Sequence, residues 1–507
     1  MKTKMEVLLS LALALLLLSG CAASTQEKIN IIDDDYRNWY EIFVYSFCDS
    51  NGDGIGDLNG VTEKLDYVAG MGFNGIWLMP IMPSPSYHKY DVTDYYQVDP
   101  QYGSLEDMKT LLAAAHERGI KVIIDLPVNH SSDKHPWFIS AAAGEDSEYR
   151  DYYNWSDSAK SGYNKIGDQY YESQFTGTMP DLNLDNPDVR AEIENILRFW
   201  LQDVGVDGFR LDAVTSYYTG AMQKNIAFIS WLGQTARELS PDCFIVGEAW
   251  DSLDVIASYS QAEISSFFCF PVAQKDGYIA KVLSDNNDQP GKSYGDYVMQ
   301  LESALPESTI PAPFIENHDT ARAIGFLGRS NAEKQKMGAA LLALMRGGVF
   351  VYYGQEIGMA GSGEDPNKRI GMLWTSVEET TTLPPGATKT EYPLPSVEEQ
   401  QADENSLLNF YRSAMELRNR FPEIARGSSQ LLDSGSGDVC LILRTWQDSS
   451  IIIAINPSAN DQDISVDAFT QYSSLSGQLT CGTEPPSLKS GTLHLPAWSV
   501  AILTDKK

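Results

Sequence analysis

Short, nearly continuous apolar runs recur along this chain and alternate with stretches whose apolar residues fall at helical spacing. The first run is YEIFVYSF at 40–47, and the second is GIWLMP at 75–80. Ser104 and Asp107 then open a helix as a capping-box-like pair. Met108, Leu111, Leu112 and Ala115 share one face of it, and Gly119 stops it before the run KVIID at 121–125. Asn186 and Pro187 start a further helix as N-cap and first residue. Val189, Ile193, Ile196, Leu197 and Trp200 line it, and Gly205 ends it ahead of GFRLD at 208–212. Runs at 243–246, 266–270, 313–315 and 349–353 bring the expected strands to eight. Apolar runs without alternation, separated by amphipathic helices, require a parallel sheet covered by helices. Eight repeats predict its closure into an α/β fold of the (β/α)8 TIM-barrel type.

Two segments break this rhythm. Residues 130–178 are polar and rich in tyrosine, which predicts a small domain inserted after the third strand. Past Arg426, strand signals at 439–446, 451–455 and 499–503 with intervening turns predict a C-terminal antiparallel β domain. Residues 376–403, rich in Thr, Pro and Glu, have little to bury and are expected to form an exposed loop. The expected organisation is an export signal at 1–20 and a tether at 21–35, then the barrel at 36–129 and 179–426 around an inserted domain at 130–178. The β domain follows at 427–507.

The N-terminus carries Lys2 and Lys4 before an apolar run at 7–18 that is too short to span a membrane comfortably. The run ends in LSGC at 18–21, which resembles a bacterial lipobox. On that reading Cys21 is lipidated and the mature chain is anchored outside the cytoplasmic membrane; an ordinary secretory signal with a chance cysteine is the alternative. Five cysteines remain: Cys48, Cys243, Cys269, Cys440 and Cys481. An odd number argues against a complete disulfide framework, and Cys440 with Cys481 is the one pair to test.

Composition narrows the partner. With 37 Lys and Arg against 69 Asp and Glu in 507 residues, the formal net charge is −32. Such a surface repels phosphate backbones, so no nucleic-acid partner is expected and a neutral ligand fits better. Nothing in the sequence calls for a second subunit, and a monomer is expected.

Candidate chemistry lies where the acids fall. Asp125, Asp212, Glu248 and Asp319 each sit at or just after the carboxyl end of an expected strand, the face on which barrel active sites form. Any one of them could simply begin a solvated loop, but four together, with His130, His318 and Arg210 beside them, point to a built site. A second signal is DSNGDGIGD at 49–57, in the loop after the first strand. Side-chain oxygens of Asp49, Asn51 and Asp53, the Ile55 carbonyl and the Asp57 carboxylate alternate as in EF-hand-like loops, which predicts a structural Ca2+.

The segments DLPVNH at 125–130, GFRLDAV at 208–214, VGEAW at 246–250 and FIENHD at 314–319 occur in the order of the α-amylase family of glycoside hydrolases, which this chain resembles from about Asn38 into its C-terminal domain. Accessory matches lie at 72–81, 179–183 and 348–356. MPDLN at 179–183 is similar to the version in members intermediate between oligo-1,6-glucosidases and neopullulanases. The resemblance implies Asp212 as nucleophile, Glu248 as general acid/base and Asp319 as transition-state stabiliser of a retaining reaction on α-glucans such as starch and maltooligosaccharides. It also implies substrate contacts from Tyr90, His130, Arg210 and His318. Asp91 with Arg369 resembles a pair that caps the non-reducing sugar in exo-acting α-glucosidases, although Gly371 stands where proline is usual. Thr215 and Ser216 replace the Lys-His of many α-amylases, so a second calcium site is not implied. The expected activity is α-amylase. An exo-acting α-glucosidase, a neopullulanase-like hydrolase and a transglycosylase share the same first step. A non-catalytic glucan-binding subunit would have lost one of the three acids, and all three are present.

Overall fold

The computed structural model describes residues 34–505. The expected export signal and Cys21 lie outside the described residues. The first three strands are β1 (Trp39–Ile42), β2 (Gly75–Leu78) and β3 (Lys121–Leu126). An excursion then carries the antiparallel strands β4 (Trp155–Ser156), β5 (Tyr163–Ile166) and β6 (Gln169–Glu172). The parallel set resumes with β7 (Gly208–Leu211), β8 (Phe244–Gly247), β9 (Ser266–Phe268), β10 (Ile310–Ala312) and β11 (Phe350–Tyr352). Eight parallel strands run in the order β10-β9-β8-β7-β3-β2-β1-β11. Backbone bonds from Gly348 N to the Pro311 oxygen (2.9 Å) and from Phe350 N to the Pro313 oxygen (3.0 Å) tie the two ends into a nearly closed barrel.

Side-chain alternation sorts the interior into layers. Trp39 from β1 stacks on Phe244 and Phe350 (centroids 4.7 and 5.6 Å), and Trp77 from β2 meets Phe268 at 5.3 Å. These rings plug the barrel with apolar area. Gly75 leaves room for the Trp39 indole, since a Cβ there would lie 2.4 Å from it. Gly208 lets β7 approach β8, because with φ +152° its Cβ would sit 1.8 Å from the Phe244 oxygen. Two residues further along the same strands the inward positions turn polar, with Glu41 two after Trp39 and Arg210 two after Gly208. The aromatic plug thus forms the floor of a charged chamber at the carboxyl ends of the strands.

The helix Leu105–Glu117 has its capping box between Ser104 and Asp107 and buries Met108, Leu111, Leu112 and Ala115. The helix Pro187–Arg198 has Asn186 as N-cap; it continues as one π turn to Val204 and stops at Gly205, whose φ is +97°. Past residue 427, a five-stranded sheet (Ser428–Leu432, Cys440–Trp446, Ser449–Asn456, Ser499–Thr504 and Ser474–Thr480, in spatial order) and a three-stranded sheet are both antiparallel.

Several expectations are corrected. The run 40–47 is a strand only to Ile42; Val44–Phe47 coil into one helical turn. Every residue there is buried, so hydrophobicity carried no period to separate the two states. The seventh strand is Ile310–Ala312 rather than 313–315, which lies just beyond it. Residues 376–403 are not simply an exposed loop. Thr381, Ser396, Val397 and Gln400 are buried, Thr382 N donates to the Gly54 oxygen at 2.7 Å, and the Tyr392 hydroxyl donates to the Gly371 oxygen at 2.7 Å. Cys440 and Cys481 are not bridged: all five cysteines among the described residues are free and buried.

Candidate active site

Four carboxylates meet at the carboxyl ends of the barrel strands, and one guanidinium holds three of them. Arg210 Nη1 lies 2.9 Å from Asp125 Oδ1 and 2.6 Å from Asp212 Oδ1, and its Nη2 lies 2.7 Å from Glu248 Oε1. Asp125 and Arg210 are register partners across β3 and β7, so their pairing follows from the sheet itself. Exposure then separates the acids. The Asp125 side chain is sealed, whereas those of Glu248, Asp212 and Asp319 are 8%, 12% and 27% exposed. Asp212 and Asp319 line the cleft, Glu248 keeps slight exposure beside them, and Asp125 anchors the arginine beneath.

Their environments differ. Burial raises the Glu248 carboxyl to about 7; Arg210 opposes the shift, while Asp212 and Asp319 add to it. Glu248 Oε2 accepts the Ala213 amide at 3.0 Å, an amide presented by an Ala213 backbone at φ +46°. A non-glycine residue in that region is held there by its surroundings. Asp319 is different: burial would raise it, but His318 and Arg369 hold it well below the usual carboxylate range. His318 Nε2 is 3.0 Å from Asp319 Oδ2, and Arg369 Nη2 is 2.8 Å from Asp319 Oδ1. Burial pushes the Asp125 carboxyl to about 6 against the pull of Arg210.

The cleft above these acids holds about 240 Å³ and is lined by Tyr90, His130, Asp212, Asp319 and Arg369 among others. Tyr90 donates its hydroxyl to Asp125 Oδ2 at 3.0 Å, which fixes its ring at the cleft wall. His130 is buried with Nε2 unpartnered. Its Nδ1 faces the Asn129 amide nitrogen at 3.3 Å and accepts from it when the ring proton sits on Nε2.

Asp91 and Arg369 do not meet: Asp91 Oδ1 accepts from Ser84 Oγ at 2.6 Å and from the Ser86 hydroxyl, while Arg369 serves Asp319. Lys368 and Arg369 engage Asp319, Lys368 donating its Nζ to the Asp319 carbonyl oxygen at 2.7 Å and Arg369 its Nη2 to Oδ1 at 2.8 Å. Sequence reasoning missed Glu41, buried inside β1 and bonded to His318 at 2.6 Å. The signal was available, since Glu41 is the one acid within the apolar run 40–47. His88, Phe175 and Asp365 also line the cleft and carried no motif of their own.

The 49–57 loop lies apart from this chamber. Asp49 Oδ1 accepts the amides of Asn51 and Gly52, Asn51 Oδ1 that of Asp53, and Asp53 Oδ1 that of Ile55, at 2.7 to 3.0 Å. Asp57 accepts Ser50 N, Ser50 Oγ and, as N-cap of Leu58–Glu63, Gly60 N. No three acid, histidine or cysteine side chains converge as a metal cluster among the described residues. Asn51 and the Ile55 carbonyl add two further oxygen donors to the loop.

Comparison with known proteins agrees with this geometry. The alpha amylase catalytic-domain model matches residues 41–427. Alpha-amylase 3 of Dictyoglomus thermophilum is 37% identical over 435 residues, covering 83% of this chain and 85% of that protein. The oligo-1,6-glucosidase of Heyndrickxia coagulans is 29% identical over 519 residues, covering 83% and 91%. The structure of Eubacterium rectale Amy13B superposes with a TM-score of 0.90 at 42% identity, over 94% of this chain and 97% of that one. With a matching catalytic-domain model across most of its length and a charged chamber in the expected place, the chain belongs to the alpha-amylase family of glycoside hydrolases.

Proposed function

We propose that this chain is an α-amylase, cleaving α-1,4-glucosidic bonds of starch and maltooligosaccharides with retention through a covalent glycosyl-enzyme. The observation that carries the reading is the single guanidinium of Arg210 shared by Asp212 and Glu248. Two carboxyls on one fork fit the ~5–5.5 Å spacing of a retaining pair better than the ~6.5–9.5 Å that admits a water between them. Asp212, ion-paired at 2.6 Å, attacks the anomeric carbon. Glu248, raised to about 7, keeps a proton for the departing glycosidic oxygen and later takes one from the incoming water. Asp319, held ionised by His318 and Arg369, bonds sugar hydroxyls more strongly as the oxocarbenium ion forms. His130, which lines the cleft, supplies a further hydroxyl contact, and the Tyr90 ring a face for the sugar.

The second reading is an exo-acting glucosidase, favoured by the relative named oligo-1,6-glucosidase. A time course of products from soluble starch and maltotetraose, resolved by length and anomeric form, decides. Early mixed α-maltooligosaccharides support the α-amylase; glucose alone from the outset overturns it in favour of exo action. Transglycosylation would instead give products longer than the maltotetraose supplied.

The 49–57 loop binds Ca2+ on this reading, because Asp49, Asp53 and Asp57 crowd three negative charges into nine residues. Among the described residues no Lys or Arg forms an ion pair with them. Export with a lipid anchor at Cys21, and a monomeric state, complete the proposal. Labelling with a radioactive fatty acid, lost in Cys21→Ala, tests the anchor, and sedimentation of the purified protein tests the monomer.

A further inference from the structure

Glu41 is a buried acid at the centre of the barrel mouth, and nothing in the reaction so far requires it. It stands on β1 two residues after the aromatic plug begins at Trp39, so its side chain enters the same interior. There it meets His318 twice: Oε1 is 2.6 Å from the ring Nδ1 and 3.4 Å from the His318 amide. On the opposite side of the ring, Nε2 lies 3.0 Å from Asp319 Oδ2 and 2.8 Å from the Tyr90 hydroxyl. The Tyr90 proton is already directed at Asp125 Oδ2, so toward His318 the hydroxyl offers a lone pair. Each ring nitrogen therefore faces oxygen acceptors. A neutral imidazole carries only one N–H, and one of these two contacts would set lone pair against lone pair.

We propose that Glu41 is a positioning residue of this enzyme: it holds His318 doubly protonated, so that His318 meets Asp319 and the bound sugar as a fixed cationic donor. The inference rests on the reading that Asp319 and His318 belong to the substrate site.

The charges around the ring support it. Facing His318 are Glu41 from β1, Asp319 from its own loop, Tyr90 from the loop after β2 and Asp125 from β3; Arg369 approaches through its Nε, 3.1 Å from the His318 carbonyl oxygen. Arg210 lies beyond, engaged with its three carboxylates. Burial alone would strip the ring of its second proton, but Asp319 and Glu41 outweigh it and raise His318 to about 10. The cation explains how Asp319 stays ionised within 27% exposure beside two other acids.

The test is a ¹⁵N-histidine spectrum of the intact protein, which has six histidines, with His318 assigned by its loss in His318→Asn. The wild type is expected to show both His318 nitrogens protonated from pH 5 to 9, with no titration. In Glu41→Gln the amide still accepts from Nδ1 but brings no charge, and His318 is expected to titrate below pH 9. The ratio of kcat/KM at pH 8.5 to that at pH 6 should then fall at least threefold relative to wild type. Glu41→Asp should restore part of both. A wild-type ring with one unprotonated nitrogen at pH 7 overturns the proposal. So does a Glu41→Gln protein whose His318 titration and pH profile match the wild type. If Glu41→Gln fails to fold, the wild-type spectrum and Glu41→Asp still decide. Failure of the substrate-site reading is distinguishable, because His318→Asn would then leave turnover intact whatever the spectrum shows.

Discussion

Arg369 Nη2 lies 2.8 Å from Asp319 Oδ1, across fifty positions of sequence, and the same guanidinium gives its Nε to the His318 carbonyl oxygen at 3.1 Å. The arginine thereby sets both the charge and the orientation of Asp319. A charge-assisted bond of this kind contributes about 1.5–3 kcal/mol. Arg369→Ala is expected to lower kcat by roughly 10- to 150-fold on starch, with a smaller change in KM, and Arg369→Lys to recover only part of it. Steady-state kinetics of the two variants, with circular dichroism to verify folding, check this. Wild-type kcat in Arg369→Ala would mean that Asp319 needs no second anchor.

Asp212→Asn keeps the shape of the nucleophile beside Arg210 but removes its charge. Turnover should fall by at least ~10⁴-fold, while the melting temperature and maltooligosaccharide binding stay close to wild type. Turnover measured alongside calorimetric binding separates a lost nucleophile from a lost site. Retained turnover sinks the assignment.

Glu248 gives a pH dependence whose sign follows from its environment. Burial raises its carboxyl from the ordinary glutamate range to about 7, so the acid required for the first step is lost as pH rises through that value. The alkaline limb of kcat/KM should therefore lie near pH 7 and vanish with Glu248→Gln, which is expected to be nearly inactive. The same shift bears on stability. A carboxyl raised in the folded state supports folding fully below its unfolded value, and that support disappears as pH rises through 7. Glu248→Gln should consequently melt higher than wild type at pH 8 and show little gain at pH 4. A lower melting temperature at pH 8 would contradict the burial argument.

Calcium in the 49–57 loop links binding to stability. At free calcium of 100 times Kd, binding contributes about 2.7 kcal/mol, so chelation is expected to lower the melting temperature by a few degrees. Thr382 joins this loop to residues 376–403 through the Gly54 oxygen, so proteolytic sensitivity within 376–403 should rise on chelation as well. Asp53→Ala should mimic chelation and abolish its effect. An unchanged melting curve after verified metal removal excludes the site.

Much of the candidate site was legible because strand ends carry it. Asp125, Asp212 and Glu248 follow apolar runs directly, so the barrel pattern alone brought them to one face. Helix boundaries at Ser104 and Asn186 were equally local, since a cap is a hydrogen bond between residues three positions apart or closer. Glu41 was harder to read: its charge was visible, but only barrel closure brings it within 2.6 Å of a histidine 277 positions away. The one-turn helix Val44–Phe47 was hidden because complete burial erased the contrast between strand and helix.

The sequence by itself determined the kind of fold, the inventory of acids and their places at the strand ends, because period, caps and charge are properties of neighbours along the chain. Tertiary structure decided which acids share a charge. It placed Arg210 under three carboxylates, sealed Asp125 away from the cleft, left Asp91 to Ser84 and Ser86, and gave Arg369 to Asp319. Those choices depend on Coulomb energies and desolvation, which vary steeply with separation and burial. Neither is defined until strands far apart in sequence close around a common space.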